Sequence, residues 1–165
     1  MTKARTNAYG TTTLGSSTLT LGSASTSVSN LELVAPKELT TVSTSAITAT
    51  FNYDALTQGV YYSTASTTSN FTVNFRGNSS TTLASSLGTG DAITCSLLVT
   101  NGTTAYYANA YQVDGSTSGV TVKWSGGTAP TAGSASATDA YSFTIVKTAA
   151  TPTYTILAAG PIKYA

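Results

Sequence analysis

Histidine is absent from this chain, and charged residues of either sign are few. The 165 residues include 7 Lys+Arg and 6 Asp+Glu, so charged residues make up 8% and the net charge is +1, where about 25% charged residues is typical of soluble domains. The lack of histidine removes the commonest general base and a leading metal ligand. A net charge near zero provides no field that would hold phosphates. The composition therefore argues against an enzyme, a cofactor or metal site and a nucleic-acid partner.

Cysteine and long hydrophobic runs are also scarce. Cys95 is the only cysteine, so the chain can form no internal disulfide. Its place within the apolar residues 92–99 predicts a buried side chain rather than a reactive thiol. No apolar stretch approaches the roughly 20 residues of a membrane span, and residues 6–27 lack the continuous apolar run of a signal peptide. The sequence thus predicts that the protein is synthesised in the cytoplasm and does not insert into a membrane.

Hydroxyl side chains dominate what is present, with 35 Thr and 22 Ser. Hydrophobic residues still reach 41% and include 10 Tyr, 4 Phe and 1 Trp, so the chain can bury a core and is not a disordered polar tract. A surface rich in hydroxyls and poor in charge suits a packed assembly better than a free cytosolic enzyme.

The chain changes character near Pro36. Before it, small polar residues predominate and large aliphatic side chains are rare, so this segment can bury little by itself. We interpret residues 1–35 as an extended anchoring and oligomerisation arm, and residues 36–165 as a folded domain. The alternation of Thr and Leu in the arm suits pairing as an added strand on another chain. The candidate arm contacts are Lys3, Arg5, Leu14, Leu19 and Leu21.

After Pro36, apolar residues alternate with Thr or other polar residues in several short segments, which is typical of half-buried strands. The predicted core comprises Phe51, Phe71, Val73, Phe75, Leu97, Val99, Phe143 and Ile145. Pairs of turn-forming residues separate the strands, and these are Gly77-Asn78, Asn101-Gly102, Asp114-Gly115 and Gly126-Gly127.

This spacing of strands and turns predicts an all-β fold, either an antiparallel β-sandwich or an open barrel, and we favour the sandwich, of the jelly-roll kind. One short helix is predicted, with Ser80 as the N-cap, Leu83 and Leu87 on one face, and Gly88 after its end.

The groups that could carry chemistry are dispersed along the chain. The six carboxylates lie in separate segments, mostly beside turns, where each is best explained as a cap or turn acceptor. The aromatic residues are the remaining signal, because a tyrosine that faces outward provides a large contact area at low entropic cost. The alternative is that these rings belong to the core. The candidate surface-binding aromatics are Tyr61, Tyr106, Tyr111 and Trp124.

Several runs of residues resemble virion structural and tail-fibre proteins of marine tailed bacteriophages, notably those that infect cyanobacteria. The opening Met1-Thr2-Lys3-Ala4-Arg5 is similar to the start of many such proteins, although Thr6-Asn7-Ala8 stands where family members often have Asp-Leu-Ala. The resemblance covers about residues 36–159, and family members are often much longer. Phe51-Asn52-Tyr53-Asp54 is similar to the first strands of that family. The most recognisable run includes Leu98-Val99-Thr100-Asn101-Gly102 and Lys123-Trp124-Ser125-Gly126-Gly127-Thr128-Ala129-Pro130, and residues 139–148 complete the resemblance.

The resemblance implies a non-enzymatic structural protein located in the virion, as a fibre-like subunit or a decoration of the capsid or tail. Its expected partners are other virion proteins, bound through the arm, and further copies of itself, with a trimer favoured by analogy with phage fibres. The alternative function is a receptor- or carbohydrate-binding module that uses exposed Tyr and Trp side chains on a host surface glycan.

Overall fold

The computed structural model describes residues 37–165, and these form one compact unit, Lys37–Ala165. The predicted arm, residues 1–35, lies outside the described residues. The same holds for the five candidate arm contacts, Lys3, Arg5, Leu14, Leu19 and Leu21.

More than half of the described residues lie in β-strands, and the α-helix is a single turn. The prediction of a mostly β chain with one short helix is therefore confirmed for residues 37–165. The elements are β1 (Thr40–Ser43), β2 (Thr50–Asp54), β3 (Val60–Thr67), β4 (Phe71–Arg76), α1 (Leu83–Ser86), β5 (Ala92–Asn101), β6 (Ala108–Val113), β7 (Val120–Trp124), β8 (Thr138–Ala149) and β9 (Thr153–Tyr164).

The strands form two sheets, which we call the large sheet and the small sheet. The large sheet has the order β1-β3-β5-β8-β9-β7, and the small sheet has the order β2-β4-β6. From β1 to β6 the chain enters the two sheets alternately, so each return to a sheet adds a strand beside the previous one in the same direction. Strands β7, β8 and β9 then complete the large sheet.

The prediction of antiparallel strands is wrong for most pairs. Five of the seven strand pairs are parallel, and only β5–β8 and β8–β9 are antiparallel. Both the mixed large sheet and the all-parallel small sheet differ from a jelly roll, so that part of the prediction is not confirmed. The physical reason is the alternation between sheets, because two crossings in succession restore the original direction of the chain.

The predicted turn residues lie between strands, and Asp114-Gly115 forms a tight two-residue turn that is closed by an antiparallel bridge between Val113 and Ser116. The chain nevertheless changes sheets at these turns, since Asn101-Gly102 leads from β5 in the large sheet to β6 in the small sheet, and Asp114-Gly115 leads back from β6 to β7. Strands β8 and β9 form a hairpin within the large sheet, where Ala149 pairs with Thr153. No Gly or Asn marks that turn in the sequence.

Helix α1 begins after Thr82, not after the predicted cap Ser80. The Thr82 side chain accepts a hydrogen bond from the Ser85 N–H, and the Asp114 carboxylate accepts from the N–H groups of Leu83 and Ala84 at 2.7 and 2.9 Å. At the other end, the Lys147 Nζ donates to the carbonyls of Ala84 and Leu87. The helix is one turn long, so these partners compensate for the backbone groups that it leaves unpaired.

The core lies between the two sheets. Seven of the eight predicted core side chains are at most 1% exposed, and Phe51 is half-buried against the same cluster. The Phe75 ring from the small sheet meets the Phe143 ring from the large sheet with centroids 5.0 Å apart. Tyr53 adds a polar link between the sheets, since its hydroxyl donates to the Ser96 carbonyl of β5.

Candidate functional site

Three of the four candidate surface-binding aromatics pack against the core. Tyr61 is the register neighbour of fully buried Leu97, and its ring centroid lies 4.6 Å from that of Phe51. The Tyr111 ring lies 5.6 Å from Trp124 and 5.7 Å from Phe143. All three side chains are partly buried, and their strand positions face the opposite sheet.

Tyr106, the fourth candidate, is half-buried in the loop between β5 and β6. Its backbone N–H donates to the Asn101 Oδ1, and its carbonyl accepts from the Asn101 Nδ2. The four predicted rings do not form one outward cluster in the structure.

The hydroxyl groups of Tyr111 and Tyr141 are held within or against the core. Burial raises the pKa of Tyr111 and of Tyr141 well above the ordinary value for tyrosine. The Tyr111 hydroxyl donates to the Ala108 carbonyl at 2.9 Å. Both groups stay protonated at neutral pH and contribute packing and hydrogen bonds.

Cys95 is buried in the core, as its sequence context predicts. Desolvation raises the pKa of its thiol to about 12, while a hydrogen bond with Tyr53 acts in the opposite direction. Only the thiolate form of cysteine reacts with iodoacetamide. At about pH 8 we therefore expect labelling of Cys95 to be about 1,000-fold slower in the folded protein than in the protein unfolded in guanidinium chloride. Comparable labelling rates in the two states would contradict this burial.

The carboxylates of the described chain are mostly engaged within the protein. Asp54 pairs with Arg76, Asp91 accepts from the Gly88 N–H, and Asp114 caps α1. Asp139 is fully buried and accepts from the Asn101 side chain and the Ser134 N–H.

Among residues 37–165, no group of three or more His, Cys, Asp or Glu side chains is placed to hold a metal ion. In the same range, no helix has the length and hydrophobicity needed to cross a membrane.

A polar hollow lies beside the outer face of the small sheet and has an internal structural role. The Asn74 side chain there donates to Asn52 and accepts from the Gly115 N–H, and the Arg76 guanidinium is held by Asp54. These contacts fix the Asn74 and Arg76 side chains against the small sheet.

The opposite surface, the outer face of the large sheet, is the most unusual feature of the molecule. Five residues lie in one register row across five neighbouring strands. The three central members face away from the core because they alternate with buried neighbours, and the two end members lie on the same face because they are register partners of central members. We call these five residues the apolar row, and they are Val42, Tyr62, Leu98, Ala140 and Ile162.

The two ends of the apolar row are exposed to solvent, and its three central members, Tyr62, Leu98 and Ala140, are half-buried. Val42 is 63% exposed and Ile162 is 53% exposed at the two ends of the row, and the nearby Tyr164 is 60% exposed. A shallow hollow beside the centre of the row is lined by Tyr62, Leu98, Thr138 and Tyr164. Exposed apolar side chains that form a continuous band mark interaction surfaces more often than scattered ones do.

The outer face of the large sheet is also almost free of charge. Lys123 on the edge strand β7 is the charged residue at the outward register positions of these six strands, and the remainder are mainly Thr, Ser and apolar residues. Lys163 of β9 has the register position of inward-facing Asp139, but its side chain is exposed beside Ile162. The charged residues Asp139 and Lys147 of β8 have the opposite orientation and are buried. A face with so little charge has little protection against association with another protein surface.

Sequence reasoning missed the row because its members come from five separate strands. The Tyr61-Tyr62 pair indicates one ring on each face of β3. Which of the two rings faces the core depends on the neighbouring strand. The structure turns Tyr62 outward and Tyr61 inward, since Tyr61 pairs with buried Leu97 and Tyr62 pairs with Leu98. The register between β8 and β9 shifts opposite residues 140–142, so the alternation of inward and outward side chains in the earlier part of β9 does not extend to Tyr164.

Comparison with known proteins finds no family model, no curated protein and no solved structure that matches this chain.

Proposed function

We propose that this chain is a non-enzymatic structural protein of a bacteriophage virion, exposed on the particle as a fibre-like subunit or as a decoration of the capsid or tail. The observation that carries the proposal is the nearly charge-free outer face of the large sheet with its apolar row. Such a face is stabilised when another protein surface covers it. The proposal also rests on the sequence resemblance to phage virion proteins.

In this function, residues 1–35 attach the subunit to other virion proteins. Lys3 and Arg5 would meet acidic or carbonyl groups of the partner, and Leu14, Leu19 and Leu21 would cover apolar surface. The arm would pair as a strand with a sheet edge of a neighbouring chain, where backbone hydrogen bonds supply the affinity. In the described part of the chain, β1 and β7 are edge strands of the large sheet, each paired on one side only.

The alternative of a receptor- or carbohydrate-binding module requires aromatic rings with open faces. The rings of Tyr61, Tyr111 and Trp124 are instead packed against the core. The polar groups beside the small sheet are paired with one another. For these reasons we favour the structural function.

Deletion of residues 2–33 tests the proposed function. We expect the truncated protein to remain folded, because the core lies within residues 37–165, and to lose the ability to join the virion. The measurement is co-sedimentation of the tagged full-length and truncated proteins with phage particles grown from the genome that encodes the chain.

A matched control carries a scrambled order of residues 2–33, so that length and composition are unchanged. Incorporation of the truncated protein at the level of the full chain would show that the arm is not the anchor. Absence of the full-length protein from purified particles would overturn the virion function itself.

A further inference from the structure

We propose that two copies of this chain pair face to face through the outer faces of their large sheets, about a two-fold axis that passes beside Leu98 and runs parallel to β5. This inference rests on the proposed function, because it identifies the protein surface that covers the outer face of the large sheet. It differs from the trimer that the sequence resemblance implies.

The apolar row is centred on β5. In the order β1-β3-β5-β8-β9-β7, Leu98 is the third of the five members of the row, with Val42 and Tyr62 on one side and Ala140 and Ile162 on the other. A two-fold axis parallel to β5 therefore superimposes the row of one copy on the reversed row of the other.

The reversed rows match in size. Val42 meets Ile162 of the partner subunit, Leu98 meets Leu98 of the partner subunit, and Tyr62, the largest member, meets Ala140 of the partner subunit, the smallest. A two-fold axis perpendicular to the strands would instead oppose Tyr62 with Tyr62 and Ala140 with Ala140, which combines a clash with a gap. Close packing needs large side chains opposite small ones, so the parallel axis is the one that fits.

The same axis keeps the charge of this face outside the contact. Strand β7 is the third strand from β5 on its side, while β1 is the second and last strand on the other side. Strand β7 of one copy therefore extends past β1 of the partner subunit, and Lys123 stays in water. The Lys123 ammonium group therefore does not have to be desolvated when the two faces meet.

The face approaches the size of a standard interface. Its five strands are four to twelve residues long, so at about 4.8 Å between strands and about 3.3 Å per residue the reversed faces overlap over roughly 500–600 Å² before the relief of the side chains is counted. A standard interface buries about 800 Å² of accessible surface on each partner. Two sheets that pack face to face lie about 10 Å apart, with side chains interdigitating between them.

The test uses the purified full-length chain and measures molar mass by sedimentation equilibrium and by light scattering. We expect the wild-type protein to have twice the mass of one chain at about 100 μM. Because Leu98 is its own partner, Leu98→Glu and Leu98→Arg should each weaken self-association by at least about 100-fold, since each places like charges opposite one another. An equimolar mixture of the two variants should form a 1:1 dimer. Thr50→Glu, which adds the same charge to an exposed position on the small sheet, should leave the dimer unchanged.

A size exchange tests the orientation of the pair. Tyr62→Ala and Ala140→Tyr should each weaken the dimer, while the two substitutions together in one chain should restore association, because a large residue again faces a small one. Circular dichroism and thermal unfolding verify that each variant is folded.

A monomeric wild-type protein at this concentration would overturn the inference, because residues 1–36 or nothing at all would then cover the apolar row. A trimer would overturn it as well. Failure of the mixed Glu and Arg variants to pair would exclude the two-fold axis beside Leu98. These results are obtained without phage particles, so they are independent of the incorporation experiment that tests the virion function.

Discussion

Replacement of Phe143 by alanine is expected to lower the free energy of unfolding by about 3–5 kcal/mol. The Phe143 side chain is fully buried, and its ring centroid lies 5.0 Å from that of Phe75 and 5.7 Å from that of Tyr111. Both of these partners belong to the small sheet. The substitution therefore removes the ring that connects the two sheets at the centre of the core, and it leaves a cavity in a densely packed interior.

Urea unfolding followed by tryptophan fluorescence measures this effect through Trp124. Ser142→Ala is the matched control, because Ser142 is the preceding residue of β8 and its side chain is exposed; its effect should stay within about 0.5 kcal/mol. A loss below about 1 kcal/mol for Phe143→Ala would be inconsistent with the core described above, given that Phe→Ala changes in cores cost several times more.

Replacement of Asp139 by alanine is expected to destabilise the fold by about 3 kcal/mol, since each buried donor left without an acceptor costs about 1–3 kcal/mol. Asp139 is fully buried in β8, and its Oδ2 accepts from the Asn101 Nδ2 at 3.0 Å and from the Ser134 N–H at 2.8 Å. Asn101 in turn holds the backbone of Tyr106 through both atoms of its amide. The carboxylate thus connects β8 with two loops that contain little regular structure.

Asp139→Asn separates hydrogen bonding from charge. The amide retains one oxygen that can accept from Ser134 and Asn101, so we expect Asp139→Asn to cost clearly less than Asp139→Ala in the same unfolding measurement. Hydrogen exchange should also increase at Ser134 and Tyr106 in the alanine variant. Equal stability of wild type and Asp139→Ala would show that this network does not hold the loops in place.

Gly133 illustrates how closely these loops approach one another. A Cβ atom at this position would collide with the Tyr106 carbonyl and would lie 2.9 Å from the Asp139 Oδ2. The residue must therefore be glycine for the loop to reach the buried carboxylate, and any larger side chain would displace the backbone.

The sequence by itself determined the structural class and most of the core. Alternation of apolar residues with threonine is a local pattern, and it places Phe71, Val73 and Phe75 on one face of a strand whatever that strand pairs with. The burial of Cys95 follows from the same alternation. These properties depend on neighbours two residues apart, which is why they can be read from the printed chain.

Only the tertiary structure decided which strands are neighbours and in which direction they run. A pair such as Asp114-Gly115 shows that a strand ends, but it does not say whether the chain returns to the same sheet or crosses to the other one. The structure shows that it crosses, and the same alternation between sheets earlier in the chain produces the parallel ladders β1–β3–β5 and β2–β4–β6. The apolar row depends on the same information, because Val42 and Ile162 are 120 positions apart in the chain. They share a surface only through the register of the three strands between them, which no local pattern contains.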